Sequence, residues 1–374
     1  MSSEKIHLLT VVGTRPEVIR LSSIINRLNK SKSIKHTLVH TGQNYDYNLN
    51  EVFFKDLKIR KPDYQLNCGG YSVVNSISKI LVEVEKILLK EKPDAFVILG
   101  DTNSCLSAYS AKRLKIPIFH IEAGNRCYDE RVPEEINRKL IDHISDINIT
   151  YSKVAKENLL RENIDPDKVF KIGSPLLEVF NFNKNKIFNS KILKKLKLKK
   201  NNYLLISVHR EENIDITKNF HKLIKLLNYL NKETKNKVLF STHPRTLKKL
   251  EKNLLKKFKN IIFHKPFSYV DYCNLQINSK CVLSDSGSIT EESNIMGFKA
   301  INLRTTNERQ EGFEFGAVPM LHFNVEAIAK FIELKNSKKT FIEDYKCESF
   351  SNIFFNLLLS YTNYINEYNW KKES

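Results

Sequence analysis

The 374-residue chain predicts an α/β protein built as two doubly wound domains facing each other across a cleft. Three observations carry that expectation. Short apolar runs of strand length alternate with helical patterns along the chain, the rhythm of β–α units on a parallel sheet with helices on both faces. The rhythm breaks once, in a lysine-rich stretch at 184–200, and then restarts. Polar clusters follow the apolar runs in both halves, at the strand ends where open α/β sheets bind ligands.

In the first half, strands are expected at 6–13, 36–41, 95–99, 116–121, 147–151 and 169–172. Helices are expected at about 17–29, from 72 to about 90 after the Gly69-Gly70 loop, and from Gly100-Asp101-Thr102 to about residue 114. Another starts at Pro133, which suits a first helical turn, with Glu134 and Glu135 favourable at its positive end. Ile136, Leu140, Ile141 and Ile144 read as that helix's apolar stripe. In the second half, strands are expected at 203–208, 238–241, 261–264, 281–283 and 300–303, and a last helix at about 349–363. The expected domains are 1–175 and 176–348, with 349–374 packing back on the first.

Composition narrows the class. Hydrophobic content of 41% and charged content of 28% are those of a globular protein. The N-terminal residues carry no signal-peptide pattern, and no apolar run approaches the roughly 20 residues that span a bilayer. Six cysteines without CxxC spacing read as reduced thiols in a cytoplasmic protein, with no metal site. Much of the net charge of +19 sits at 184–200 and 245–259, where lysines interleave with Ile and Leu as on the wet faces of amphipathic helices. No nucleic-acid-binding motif accompanies it. The eleven glycines contain no G-x-G-x-x-G, and neither a GxxxxGK[ST] loop nor HExxH occurs. That argues against a dehydrogenase, a P-loop kinase and a zinc hydrolase of the familiar kinds.

The densest chemistry lies at 120–146. There Glu122, Arg126, Asp129, Glu130, Arg131, Glu134, Glu135 and Arg138 crowd around Gly124 and Pro133. Glu134 and Arg138 are four apart and share a helix face. Glu122, at a strand's carboxyl end, is expected to face that pair as a reaction centre. Earlier, GTRPE offers helix-start amides with Arg15 and, one turn on, Arg20, a set suited to an anion. Asp101 follows a strand, either as a functional carboxylate or as a helix N-cap. In the second half, His209, Arg210 and His243 stand at strand ends. The run Ser284-Asp285-Ser286-Gly287-Ser288 offers amides and hydroxyls to a diphosphate, and Glu291 or Glu292 can accept from ribose hydroxyls.

These motifs come in a specific order: GTRPE (13–17), GQ (42–43), GDT (100–102), HIEAG (120–124), PEEINR (133–138), GSP (173–175), SVHREEN (207–213), HPR (243–245), SDSGSITEE (284–292) and RTTNERQEG (304–312). The series resembles the non-hydrolysing UDP-N-acetylglucosamine 2-epimerases over nearly the whole chain. The resemblance implies two Rossmann-like domains in a glycosyltransferase-B-like fold, no cofactor, and a homodimer. It implies inversion of carbon 2 of a UDP-linked N-acetylhexosamine by elimination and re-addition of UDP. It places Asp101, Glu122, Glu134, Arg138 and His209 as catalytic groups. Arg15, Arg20, His243, Ser286, Gly287, Ser288, Glu292 and Arg309 fall on its substrate- and UDP-binding positions.

The chain departs from the familiar members at Arg20 (lysine there), at Asn125 and Cys127 (leucine and threonine), at Ser288 (glycine) and at Asn44 (histidine). GQNYD with EAGNRC and RVPEEINRK resembles the capsule and O-antigen branch, which acts on UDP-2-acetamido-2,6-dideoxy-L-talose or UDP-2,3-diacetamido sugars. Alternatives are an ordinary UDP-N-acetylglucosamine 2-epimerase, a glycosyltransferase or hydrolysing epimerase of the same architecture, and a basic nucleic-acid-binding module.

Overall fold

A computed structural model of the protein describes residues 5–42, 54–70, 72–250, 252–334 and 341–372. The chain divides into two compact units, Met1–Phe182 with Asp344–Ser374, and Asn183–Glu343. The first holds seven parallel strands: β1 (Ile6–Val12), β2 (Ile34–His40), β3 (Tyr64–Gln65), β4 (Ala95–Leu99), β5 (Ile118–Ile121), β6 (Ile147–Thr150) and β7 (Val169–Lys171). Their order is β3-β2-β1-β4-β5-β6-β7. The second unit holds β8 (Tyr203–Ser207), β9 (Lys237–Ser241), β10 (Ile261–His264), β11 (Cys281–Ser284) and β12 (Ala300–Asn302), all parallel, in the order β10-β9-β8-β11-β12.

Each sheet therefore grows outward from its own first strand in both directions. The winding reverses between β1 and β4 in one unit and between β8 and β11 in the other. Such reversals leave a crevice at the carboxyl ends of the two strands, because their following connections run to opposite faces. The expected doubly wound α/β class is what the chain adopts. Sequence periodicity missed β3, whose two residues are too few to show a period.

The strands are apolar on both faces because helices cover both faces. Ala95–Leu99 is buried throughout, as are Leu204, Leu205 and Ile206. The division between units falls inside the Pro175–Phe188 helix and again at 343/344, where the sequence placed boundaries at 175/176 and 348/349. The late helix Phe350–Tyr364 lies in the first unit, with the Phe354 ring edge-on to Phe119 of β5 and the Arg27 guanidinium 4.3 Å from the Phe355 ring centre.

One expectation holds only in half. In the Pro133–Ile144 helix Ile141 is buried and Ile144 half-buried against the core, but Ile136 and Leu140 are 51% and 55% exposed. Alongside Ile141 the helix buries Glu135, Asn137, Arg138 and Asp142. The reason is what it packs over, a set of polar loop ends at β4 and β5 that need charged partners. Ion pairing there outweighs the transfer of two apolar side chains.

Residues 183–343 hold 31 lysines and arginines against 15 acids, whereas the rest of the chain holds 30 against 27. The lysines at 184–200 are exposed, as the amphipathic reading expects. All six cysteines are free, and among the described residues no helix is long and apolar enough to cross a membrane. The calls on Gln43 and Asn44 lie outside the described residues.

Candidate active site

In the first unit, the loop after β1 runs straight into the Arg15–Lys30 helix. Thr14 caps it, and Glu17 turns its carboxylate back to accept from the amides of Gly13 (2.7 Å) and Thr14 (2.6 Å). This is the return arm of a capping box. It corrects the expectation that those amides are open to an anion: two of them are already satisfied from within. Glu17 is buried, and burial holds its carboxyl above the ordinary value of 4.5 despite these bonds. Its other oxygen accepts from the Thr102 hydroxyl at 2.7 Å, so Glu17 ties the loop after β1 to the loop after β4. Gly13 is required at that crossing, since a Cβ there would lie 1.8 Å from the Ser104 hydroxyl. Arg15, half-buried, occupies the first helical position of the same turn.

Asp101 follows β4. Its backbone carbonyl accepts from Asn137, and its carboxylate takes two bonds from Arg138, at 3.0 and 2.6 Å. The N-cap position of the next turn belongs to Thr102, so Asp101 is not spent on capping. Arg138 is buried and also donates to Glu135 at 2.7 Å. Glu135, fully buried, further accepts from the amides of Cys127 and Tyr128 and from the Cys127 thiol at 3.2 Å. Burial pushes the Glu135 carboxyl up, but those amides and Arg138 outweigh it and leave it below its ordinary value. The Cys127 thiol is pushed up to about 11, mainly by burial, and stays protonated as a donor.

Glu122 ends β5 with a φ of +71°, a left-handed conformation uncommon for a side-chain-bearing residue. The Arg20 guanidinium lies 3.5 Å from its Oε2, and the Tyr151 hydroxyl donates to the same oxygen at 3.3 Å. Arg20 is buried at 5% exposure and Glu122 keeps partial access. Glu134 is half-buried on the first turn of the Pro133–Ile144 helix. Thus Asp101 meets Arg138, and Glu122 meets Arg20. Strained backbone beside partly exposed, ion-paired carboxylates is the pattern that marks functional sites.

In the second unit, the stitching carboxylate is Asp285, at the end of β11 and fully buried. It accepts from the amides of His209 and Arg210 and from Asn213, and its Oδ1 lies 3.3 Å from the His209 ring Nδ1. It thereby clamps the loop after β8 to the loop after β11. The His209 and His243 ring centres are 5.9 Å apart.

Next to it the turn at 284–288 is braced. Ser286 and Ser288 hydroxyls are 2.9 Å apart, and Ser288 donates to Glu292 at 2.6 Å. Gln276 donates to the other oxygen of Glu292. Ser288 is thus a ligand of Glu292, an interaction that glycine at this position cannot make. Glu291 is fully buried against Arg309 at 3.1 Å, which separates the two neighbouring acids: Glu292 is the accessible one. Arg309 also donates to the Gly287 carbonyl. A Cβ on Gly287 would sit 2.1 Å from Glu308 Oε1.

Sequence reasoning singled out residues of both clusters, among them the buried Arg20, Arg138 and Arg309, and gave no role to the carboxylates Glu17, Glu135 and Asp285 that fasten them. Glu17 had a signal, the T-x-x-E spacing of a capping box. Asp285 had the Ser-Asp-Ser-Gly turn. Glu135 had none that distinguishes it from Glu134.

Comparison with known proteins adds the following. The family model described as UDP-N-acetylglucosamine 2-epimerase matches residues 26–352. The structure of a UDP-N-acetylglucosamine 2-epimerase from Rickettsia bellii is 44% identical with a TM-score of 0.90, covering 99% of this chain and 100% of that one. A Methanocaldococcus jannaschii enzyme, solved with UDP-GlcNAc and UDP, is 35% identical with a TM-score of 0.89 over 95% of this chain and 100% of that one. A Pseudomonas aeruginosa UDP-2,3-diacetamido-2,3-dideoxy-D-glucuronate 2-epimerase is 34% identical over 83% of this chain and 86% of its own length.

Proposed function

This chain belongs to the UDP-N-acetylglucosamine 2-epimerase family, isomerases of glycosyltransferase-B-like fold, and from that premise we propose how its two clusters divide the reaction. The first unit works on the sugar and the second holds the nucleotide. Carbon 2 carries an acetamido nitrogen and its neighbour is not a carbonyl, so its proton is barely acidic. Loss of the UDP group from carbon 1 together with the carbon 2 proton gives a 2-acetamidoglucal. UDP then re-adds at carbon 1 while a proton is delivered to the opposite face of carbon 2. No net oxidation occurs and no redox cofactor is needed. The step requires one base, one acid on the other face, and cations for the departing diphosphate.

Asp101, Glu122 and Glu134 are the acid–base groups, with Arg138 orienting Asp101. Arg15, Arg20 and His209 neutralise charge on the departing diphosphate. His243, Ser286, Gly287, Ser288, Glu292 and Arg309 form or brace the UDP turn, with Glu292 toward the ribose. The observation that carries this division is the Asp101–Arg138–Glu135 chain. It leaves one carboxylate partly exposed at a strand tip and sinks the other as a fixed counter-charge. The test is turnover in heavy water without added cofactor: deuterium enters at carbon 2. Epimerised product that fully retains its original hydrogen there refutes the route.

The natural substrate differs from UDP-N-acetylglucosamine at carbons 3 to 6, in a cytoplasmic step supplying capsule or O-antigen sugars. The support is local. Arg20, where familiar members have lysine, is buried beside Glu122, and a planar guanidinium makes directed contacts an ammonium cannot. The P. aeruginosa relative's name specifies a diacetamido sugar. Comparing kcat/KM on UDP-N-acetylglucosamine, a 6-deoxy and a 2,3-diacetamido UDP-sugar decides it. A clear preference for the first refutes the branch and leaves the chemistry standing. The enzyme acts as a homodimer; a monomeric mass at working concentration refutes that part.

A further inference from the structure

Beneath the sugar-side cluster lies a buried set of charges that the proposed chemistry does not use. His120, on β5, is fully buried, with Nε2 2.8 Å from the Gly100 carbonyl oxygen and Nδ1 2.9 Å from Asp142 Oδ1. Asp142, on the Pro133–Ile144 helix, is also fully buried. It accepts from Arg126 Nη1 at 2.7 Å and from the Gly124 amide at 3.2 and 3.3 Å. Arg126 is buried too, bonding Glu162 through Nε and Nη2, and Glu162 in turn meets His143 at the surface.

Two features make this more than a buried ion pair. The first is where it grips. Gly100 immediately precedes Asp101, and Gly124 is two residues beyond Glu122. The dyad therefore holds both loops that carry strand-tip carboxylates, each at its backbone. Gly100, Glu122 and Gly124 all have left-handed φ values, of +78°, +71° and +81°. Glycine takes that region freely, but Glu122 holds it only where its surroundings over-determine it. Gly124 also has no room for a side chain: a Cβ there would lie 2.2 Å from the Ala155 carbonyl oxygen.

The second feature is proton logic. A carbonyl oxygen only accepts, so Nε2 carries a hydrogen. Burial pushes the Asp142 carboxyl up, but His120 and Arg126 outweigh it and hold it below its ordinary value, so it too only accepts. Nδ1 of the same ring lies 2.9 Å from Asp142 Oδ1, so one side chain spans both contacts.

We propose that His120 and Asp142 are positioning residues for the 2-epimerase reaction: His120 pins the Gly100 carbonyl while Asp142 pins the Gly124 amide, and together they set the separation of Asp101 and Glu122. Two groups that must act on opposite faces of one carbon tolerate little drift, and a displacement of about 1 Å can cost about a hundredfold in rate. This rests on the reading of Asp101 and Glu122 as the acid–base groups.

The test combines kinetics with a readout independent of turnover. His120→Gln and Asp142→Asn are each expected to lower kcat by about 10- to 100-fold while UDP affinity stays within about twofold. Ile141→Val, beside Asp142 on the same helix, is expected to lower thermal stability and leave kcat unchanged, which separates positioning from general loosening.

Unchanged kcat in either folded dyad variant, or a kcat loss equally large in Ile141→Val, overturns the positioning role. Absence of carbon 2 exchange in the wild type would refute the reaction itself, whereas unchanged kcat in a dyad variant refutes only the positioning role.

Discussion

The two units are wound alike and stitched alike, yet they present different chemistry. Each has a winding reversal beside its first strand, and each spans that reversal with one buried carboxylate: Glu17 accepts from amides of its own loop and a hydroxyl of the other, and Asp285 accepts from amides of the other loop. In the first unit Glu17 reaches from the β1 loop to the β4 loop; in the second Asp285 reaches from the β11 loop back to the β8 loop. Above that shared floor the first unit sets guanidinium–carboxylate pairs, Arg138–Asp101 and Arg20–Glu122. The second sinks Asp285, Glu291, Arg304 and Arg309, all essentially inaccessible, and leaves imidazoles and hydroxyls partly accessible beside Arg210 and Glu292. A carboxylate with partial access can exchange a proton. A turn of hydroxyls and glycine suits a group that must be held and released unchanged.

The sharpest way to break this division is to neutralise the carboxylates. Asp101→Asn, Glu122→Gln and Glu134→Gln are each expected to lower kcat by roughly 10²–10⁴ while UDP binding by calorimetry is retained. Loss of UDP affinity without loss of kcat would reverse the assignment of the units.

The second unit answers to a complementary change. Gly287→Ala places a methyl against Glu308 and should cost about 1–3 kcal/mol of stability in urea unfolding, with weaker UDP binding. An unaltered midpoint would mean that Glu308 swings aside freely.

The smallest expected effect lies in the two buried glutamates of the first unit, which have opposite pH signatures. Glu135 has a lowered value, so its stabilisation is complete above about 4.5 and lost as pH falls through the lowered value. Glu17 has a raised value, so the folded state gains relative stability as pH falls from above that value toward 4.5. Glu17→Gln should remove the second component, and Glu135→Gln the first. Stability curves between pH 3 and 7 with unchanged slopes in both variants would refute the assignment.

Much of the fold was legible because buried parallel strands are the easiest elements to read. Runs such as Ala95–Leu99 are apolar without interruption, and the following Gly, Asp or His marks where the strand stops. The motif positions were legible for the same reason, as polar residues stranded at apolar ends. What was not legible was which polar groups face inward. Ile136 and Leu140 obey helical spacing and still point to solvent, because the opposite face finds Asp101, Gly124 and His120 to bind. Periodicity reports that a helix has two faces and assumes the apolar one is inside. Where a site's supports are charged, that assumption inverts. Glu134 and Glu135 show the same limit: one is half-buried and one is sealed beneath the surface, on adjacent residues of identical type.

The first unit is also interrupted. Its sheet is complete by Lys171, but its last helix arrives only after the whole of Asn183–Glu343 has passed. On a ribosome the early residues must wait, with Phe119 and the Arg27 side of the first helix lacking Phe354 and Phe355, while the second unit emerges as one continuous stretch and is free to finish first. The order of maturation is then opposite to the order of translation. A released chain truncated after Glu343 should yield a protease-resistant second unit and a first unit that is still cut.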